Sequence, residues 1–383
     1  MLRLRRGSPW GPRRDLGVTY HPPHLMRLAT EVPGAPEAGL TVAPRSAHDM
    51  AAVLAHATEK GLGVQVWGGG THSGFGAPPP PDILVSMAGL AGVISWEPDD
   101  MTLVAGAGAG VATLEAKVAQ RNQTLVMPER PGSSTLGGVI ATGASALRRG
   151  RLYGTRERVL ETVAVTGDGR TVRSGGRVVK NVTGYDLSRL HVGAFGSLGV
   201  VVSVCLKLWP APPSSATVAV ESVEQARVVT RPLAVIEERG RTRVYLWGTG
   251  PEVEAMSSRF TGEAVPGLAW PDDPSGPFRW SLRVPPASTA EAVSRIPSGW
   301  DFLAIHGVGE VRAASAAPDG ARDLRGWAES IGGNLVVVDA PSGGLNGLDP
   351  WGSPPPAIEI QRSLIAQFDP RRVINPGRLP GGL

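Results

Sequence analysis

The sequence predicts an α+β fold of more than one domain, and three observations carry that prediction. Residues 40–67 read as strand, helix, strand with a glycine-rich loop leaving the second strand. Residues 93–105 and 160–173 read as antiparallel hairpins, and beyond Pro210 short strands alternate with helical stretches to about residue 340. With 383 residues, 42% hydrophobic and 19% charged, the chain can hold two or three domains with sizeable cores.

In the first unit, Ser46 followed by Asp49 has the spacing of a capping box. Met50, Val53, Leu54 and Ala57 then repeat at helical spacing until Gly61, which predicts a helix of about 14 residues between LTVAP and VQVW. Val93–Trp96 pairs with Thr102–Ala105 across a turn at Pro98, Asp99 and Asp100, and Asp168-Gly169 turns the second hairpin. Phe195, Leu198 and Val201 read as core, and Tyr185 and Asp186 as residues that fix the local fold. The proline-bearing stretch APPSSATVAVES marks a junction, after which helices are expected at Glu224–Val229 and Ala321–Ile331, and a last one at Ala357–Phe368.

Composition removes several function classes. The formal charge of +4 rests on Arg3, Arg5, Arg6, Arg13 and Arg14, and the remainder sits near −1, which is no nucleic-acid footprint. The single cysteine, Cys205, excludes an internal disulfide and a thiolate-bound cluster in this chain, and fits a reducing compartment. No apolar run of 18 residues is present, so no membrane span is expected. MLRLRR lacks the apolar stretch of a signal peptide, and residues 1–36 read as an irregular, basic, proline-rich tail. No metal site is expected: His21 and His24 lie in that tail and no H-E-x-x-H occurs. FGSLG lacks the first glycine of G-x-S-x-G, and no glycine run ends in Gly-Lys-Ser/Thr.

The central stretch is VQVWGGGTHSGFG, residues 64–76, where five glycines fall within nine positions after a strand. Such a loop can aim several backbone N–H groups at a diphosphate, with Thr71 and Ser73 adding hydroxyls; a Gly-rich surface turn is the alternative. GAGAGV at 106–111 invites a dinucleotide reading, but Val111 and Thr113 stand where the third small residue is needed, and close packing accounts for it better. PGSSTLGGVIATGA at 131–144 is a second run of small and hydroxyl residues that can pass along a ligand.

Taken with KNVTGYDLSRL, VGAFGSLGVV and FDPRRVINPGR, these motifs resemble the vanillyl-alcohol oxidase and p-cresol methylhydroxylase (PCMH) superfamily, and within it the FAD-binding E subunits of bacterial glycolate oxidases. Ala194 and Ser197 fall where the superfamily's last motif varies. The resemblance covers residues 39–210 and 345–380. It implies a two-lobed PCMH-type FAD-binding domain over 37–210, a small α+β cap over 211–344, and a C-terminal segment, 345–383, returning to the flavin domain. Gly68, Gly69, Gly70, Thr71, His72, Ser73 and Gly76 would cradle the diphosphate. Thr135, Leu136, Gly137, Gly138 and Thr142 would line the cofactor's extended chain, Gly199 and Val200 would offer backbone groups, and Asn375 would approach the flavin domain. Thr71 stands where some relatives carry a tethering histidine, with His72 one residue late, so FAD is expected to be noncovalent.

The same resemblance implies oxidation of a small 2-hydroxy acid such as glycolate, with a D-type FAD subunit and an iron–sulfur F-type subunit as partners, in the cytoplasm or at the inner membrane face through them. A free-standing FAD oxidase of an alcohol, a sugar or a D-2-hydroxy acid is the alternative, and a non-catalytic flavin-binding scaffold is a third class. No G-E-H-G-type histidine stretch is found. Lys180, near the flavin or merely on the surface, and His306, structural or catalytic, are the catalytic candidates.

Overall fold

The computed structural model describes residues 21–76, 79–129, 132–177 and 185–383. Its first lobe is a parallel three-stranded sheet in the order Leu40–Val42, Ile83–Ser86, Val64–Trp67. The central strand is buried along its whole length, as its unbroken apolar run requires. Helix Ala47–Lys60 starts where the Ser46 hydroxyl accepts from the Asp49 amide and stops at Gly61 in the left-handed region. Asp49 in turn accepts from the Arg45 amide, one residue before the cap. Met50, Val53, Leu54 and Ala57 are fully buried against the sheet, each of the larger three contributing about 1.5–3 kcal/mol.

The second lobe is an antiparallel five-stranded sheet, Val93–Glu97, Thr102–Gly106, Val200–Lys207, Val159–Val165, Thr171–Gly175. Both expected hairpins are in it. Helices Val111–Ala119 and Leu136–Thr142 pack on it through Leu114, Val118, Leu136 and Ile140. The lobes meet where the GAGAGV stretch crosses: a Cβ on Gly108 would collide with the Met87 carbonyl oxygen, so this segment is small for contact between backbones.

From Ser214 to Asp339 the chain builds an antiparallel eight-stranded sheet whose ends are Ala264–Pro266 and Asn334–Asp339. Helix Ala321–Ser330 covers part of it. The stretch expected as a helix at 224–229 is instead a 3-10 turn over Val223–Val228, with i to i+3 bonds such as Gln225 N–H to the Ser222 carbonyl. After this sheet the chain comes back. Helix Ile358–Phe368 leads to Ile374, which forms a parallel bridge to Val64 at the edge of the first sheet.

Two local expectations change. Part of the stretch read as a tail is tied down: Leu25, in the short helix Pro23–Met26, is fully buried in the first lobe's core, and Ala29 bridges Val42. Isolated apolar residues between prolines gave no periodicity to reveal this. The Tyr185 side chain is 94% exposed, and its part among the described residues is its carbonyl accepting from the Leu187 amide, whereas Asp186 caps helix Leu187–Leu190 by accepting from the Arg189 amide.

Candidate functional site

The glycine loop leaves the strand Val64–Trp67 and runs directly against the second small-residue segment. A Cβ on Gly69 would collide with the Ser133 carbonyl oxygen, and one on Gly68 with the Thr135 hydroxyl. The Ser133 hydroxyl donates to the Gly69 carbonyl at 2.7 Å, and the Thr71 and Ser134 hydroxyls lie 3.2 Å apart. Two stretches more than 60 residues apart in sequence therefore form one wall. Thr135 caps helix Leu136–Thr142 by accepting from the Gly138 amide, and the amides of Leu136 and Gly137 donate to the carbonyls of Ala109 and Ala107.

The opposite wall is the turn at 195–199, held by the Phe195 amide donating to the Ala141 carbonyl. Between the walls lies a cavity of about 840 Å³, mouth included. It takes Gly68, Gly69, Gly70, Thr71, His72 and Ser73 from the loop, Thr135, Gly137, Gly138 and Thr142 from the second segment, and Gly199, Val200 and Asn375. Two of the expected residues stand elsewhere. Leu136 turns into the second lobe's core, as its apolar side chain on the sheet-facing side of a short helix demands. Gly76 packs against the Arg378 carbonyl and the Trp351 indole. Thr142 lines the cavity but spends its hydroxyl proton on the Gly138 carbonyl. Lys180 lies outside the described residues. His306 lies far from this wall, on a second cavity, with its Nε2 2.7 Å from Glu237.

Asn375 closes the site from the far end of the chain. Its backbone amide donates to the Val64 carbonyl, its Oδ1 accepts from the Val66 amide, and its Nδ2 donates to the Phe195 carbonyl. Three residues on, Arg378 is 7% exposed, donates to the carbonyls of His72 and Ser73, and leaves its Nε unpaired. Burial lowers its pKa to about 10, so it remains a cation at neutral pH. No carboxylate of the described residues is within ion-pair distance of it. A buried guanidinium without a counter-charge is costly, and an anionic ligand in the cavity would supply one. Phe195, read as core, also lines the cavity and forms an aromatic cluster with Phe75 and Trp351 at centroid distances of 5.1–5.2 Å.

Two histidines of the cavity are neutral at pH 7. His72, hydrogen-bonded through Nδ1 to the Thr71 hydroxyl, is held at about 4 by burial and by Arg279, Arg312 and Arg378; His191 is held at about 4 by burial. Arg279 and Arg312 belong to the eight-stranded sheet, so that sheet stands over the loop's end. Arg312 bonds Glu310 and Asp273 and donates to the Ser145 carbonyl, while Arg149 from the second lobe pairs with the same Glu310. Burial by itself would raise Glu310, but Arg312, Arg149 and Arg283 outweigh it and hold its carboxyl at about 2. This charged seam joins the sheet to the lobe beneath. Among the described residues no three His, Cys, Asp or Glu side chains converge as a metal site.

Arg378 and His191 escaped sequence reasoning. Arg378 stood inside the quoted NPGR segment, and a cation beside an Asn-Pro-Gly turn was the available signal. His191 had none.

A cradle of loops in which a side chain on either of two glycines would strike the facing wall, beside a buried cation with no ion pair among the described residues, is a shape and charge suited to a diphosphate-bearing ligand on a two-lobed α+β scaffold. Residues 38–175 match the family described as FAD binding domain. FAD is the cofactor of this chain, a FAD-dependent oxidoreductase. It is 29% identical over 308 residues to glycolate oxidase subunit GlcE of Escherichia coli strain K12, covering 75% of this chain and 84% of that protein. It is 34% identical over 181 residues to a D-lactate dehydrogenase of Archaeoglobus fulgidus, spanning only 40% of that protein. Glycolate oxidase subunit GlcD of Bacillus subtilis is 35% identical over 180 residues, 38% of its length. The structure of an alkyldihydroxyacetonephosphate synthase shares the fold, with a TM-score of 0.62 at 15% identity over 88% of this chain and 75% of that one. No helix of the described residues is long and apolar enough to cross a membrane.

Proposed function

We propose that this chain is the FAD-carrying subunit of an assembly that oxidises a small 2-hydroxy acid, glycolate first among those to test, and hands the electrons to an iron–sulfur partner and then to quinone. The observation that carries the reading is the meeting of Gly68–Gly70 with Ser133–Thr135 beside Arg378, which has no ion pair among the described residues. Similarity over most of both chains to GlcE, a glycolate oxidase subunit, supports the substrate class and a multi-subunit assembly. The assembly would be cytoplasmic or held at the inner membrane face through those partners.

Bound FAD supplies the acceptor for the hydride that leaves the substrate's α-carbon. The chain's own groups have the remaining tasks. Gly68, Gly69 and Gly70 permit the backbone to approach the diphosphate, and Thr71 and Ser73 flank it. Gly199, Val200 and Asn375 set the opposite side, and Arg378 neutralises negative charge that enters with the cofactor. The binding is noncovalent, since Thr71 occupies the tethering place and the neighbouring His72 ring is engaged with the Thr71 hydroxyl. The segment 211–344 serves as a cap over the open face, tied down by Arg149, Glu310 and Arg312.

The neutral rings of His72 and His191 favour a second reading, oxidation by this chain alone, because a neutral imidazole can take the hydroxyl proton. One assay separates them. Dye reduction with glycolate and with D-lactate is measured for the chain alone, for the D-type and F-type partners alone, and for the three together. Turnover only in the full set supports the subunit reading, full turnover without this chain overturns it, and turnover by the isolated chain with peroxide release establishes the second.

A further inference from the structure

A second cavity, about 1270 Å³ with its mouth, opens on the seam between the short helix Arg149–Leu152 and the eight-stranded sheet. Its floor is apolar, with Leu147, Leu233 and Ile305 buried there. Arg151, Arg227 and Arg231 stand exposed at its rim. No acidic residue lines it, and none of the three guanidinium groups has an ion pair or hydrogen bond among the described residues. Of the neighbouring acids, Glu237 is bound to His306, and the exposed Glu224, three residues before Arg227, is held low by hydrogen bonds to its own backbone and Ser222 and also by Arg227 and His306, so Arg151 and Arg231 are the rim cations with no acid beside them. Tyr153 and Arg231 at the rim both have positive φ, +66° and +56°, a conformation that side-chain-bearing residues adopt at a cost the surroundings must sustain.

We propose that this cavity docks a segment of a partner polypeptide that presents acidic side chains to the three arginines and an apolar side chain to the floor. The inference rests on the reading that the chain works within a larger assembly. The charge is one-sided, and an acidic segment complements it. The cavity opens along its rim, where the three arginines stand, so a chain segment can lie across it and reach the apolar floor. The position also suits a subunit contact. Arg151 faces this cavity, while Arg149, two residues away on the same turn, pairs with Glu310 in the seam beside the FAD cavity.

The test uses the FAD-loaded chain and the triple variant Arg151→Glu, Arg227→Glu, Arg231→Glu, each mixed with the D-type subunit, with complex mass read by light scattering at low and high salt. Circular dichroism and flavin absorbance establish that the variant is folded and loaded. A complex that forms with the parent chain, weakens in salt and binds at least about tenfold less tightly in the variant supports the proposal. Equal binding by the variant overturns it and leaves the subunit reading standing. No complex even with the parent chain removes the subunit reading and this inference together. If citrate or inorganic phosphate raises the melting temperature of the parent alone while both proteins bind the D-type subunit equally, the cavity belongs to a small anion and the proposal is wrong.

Discussion

The Asn375 side-chain Nδ2 donates to the Phe195 carbonyl at 2.8 Å, across 180 residues of chain, and both residues have positive φ, +45° and +51°. One carboxamide thereby fixes the turn that forms one wall of the first cavity to the strand from which the other wall departs, since its Oδ1 also accepts from the Val66 amide.

Asn375→Ala removes both bonds in a buried place. It leaves a buried donor and acceptor unpaired and puts alanine in a left-handed conformation, so a loss of about 2–4 kcal/mol is expected. The check is the urea midpoint together with the ratio of flavin to protein absorbance, and both should fall. Unchanged flavin content would mean that Asn375 does not set the cavity.

Arg378→Met should weaken FAD by about tenfold or more, because a charge-assisted contact contributes about 1.5–3 kcal/mol. Arg378→Lys should fall between, keeping the charge and losing the planar fork. Flavin fluorescence quenching during titration of the apoprotein measures both, and equal affinity in all three proteins would show that the cation faces no part of the cofactor.

Gly69→Ala drives a methyl group into the Ser133 carbonyl oxygen. The loop must move off the second segment, and flavin content should drop steeply while the eight-stranded sheet, whose own strand pairing the clash does not touch, keeps its circular-dichroism signature. Retention of flavin would separate the two walls functionally.

His72 and His191 give a pH dependence with a definite sign. Each is held at about 4 in the fold, against about 6.5 in the unfolded chain. Above pH 6.5 both states are neutral there and the groups contribute nothing. As pH falls from about 6.5 to about 4 the unfolded state gains protons that the fold does not, and stability is lost, by up to about 3 kcal/mol per ring. Denaturant midpoints at pH 7, 6 and 5 should decline, and His191→Leu should flatten the decline. An unaltered slope in that variant would place the titrating groups elsewhere.

Cys205 is buried, and burial raises its thiol to about 11. Iodoacetamide should leave it unlabelled in the native protein and alkylate it after unfolding, as mass spectrometry can read. Rapid native labelling would contradict the packing of strand Val200–Lys207.

Periodicity and turn chemistry are local, and what they govern was legible. The Ser46-capped helix, both hairpins and the helices at 321–330 and 358–368 follow from residues within a few positions of one another. The two small-residue runs were legible as chemistry as well, because clustered glycines and hydroxyls offer a ligand backbone amides and O–H donors while giving a core almost nothing to pack. What stayed hidden depends on distance along the chain. That Leu25 belongs to a core, that Leu136 points away from a cavity its neighbours line, and that Arg378 is buried with no ion pair among the described residues are consequences of packing. The amino-acid order thus determined, by itself, most of the elements, the α+β class and the ligand-facing composition of its loops. Only tertiary structure decided which surfaces those loops share, because desolvation and the pairing of buried charge arise when segments hundreds of residues apart exclude water from one another.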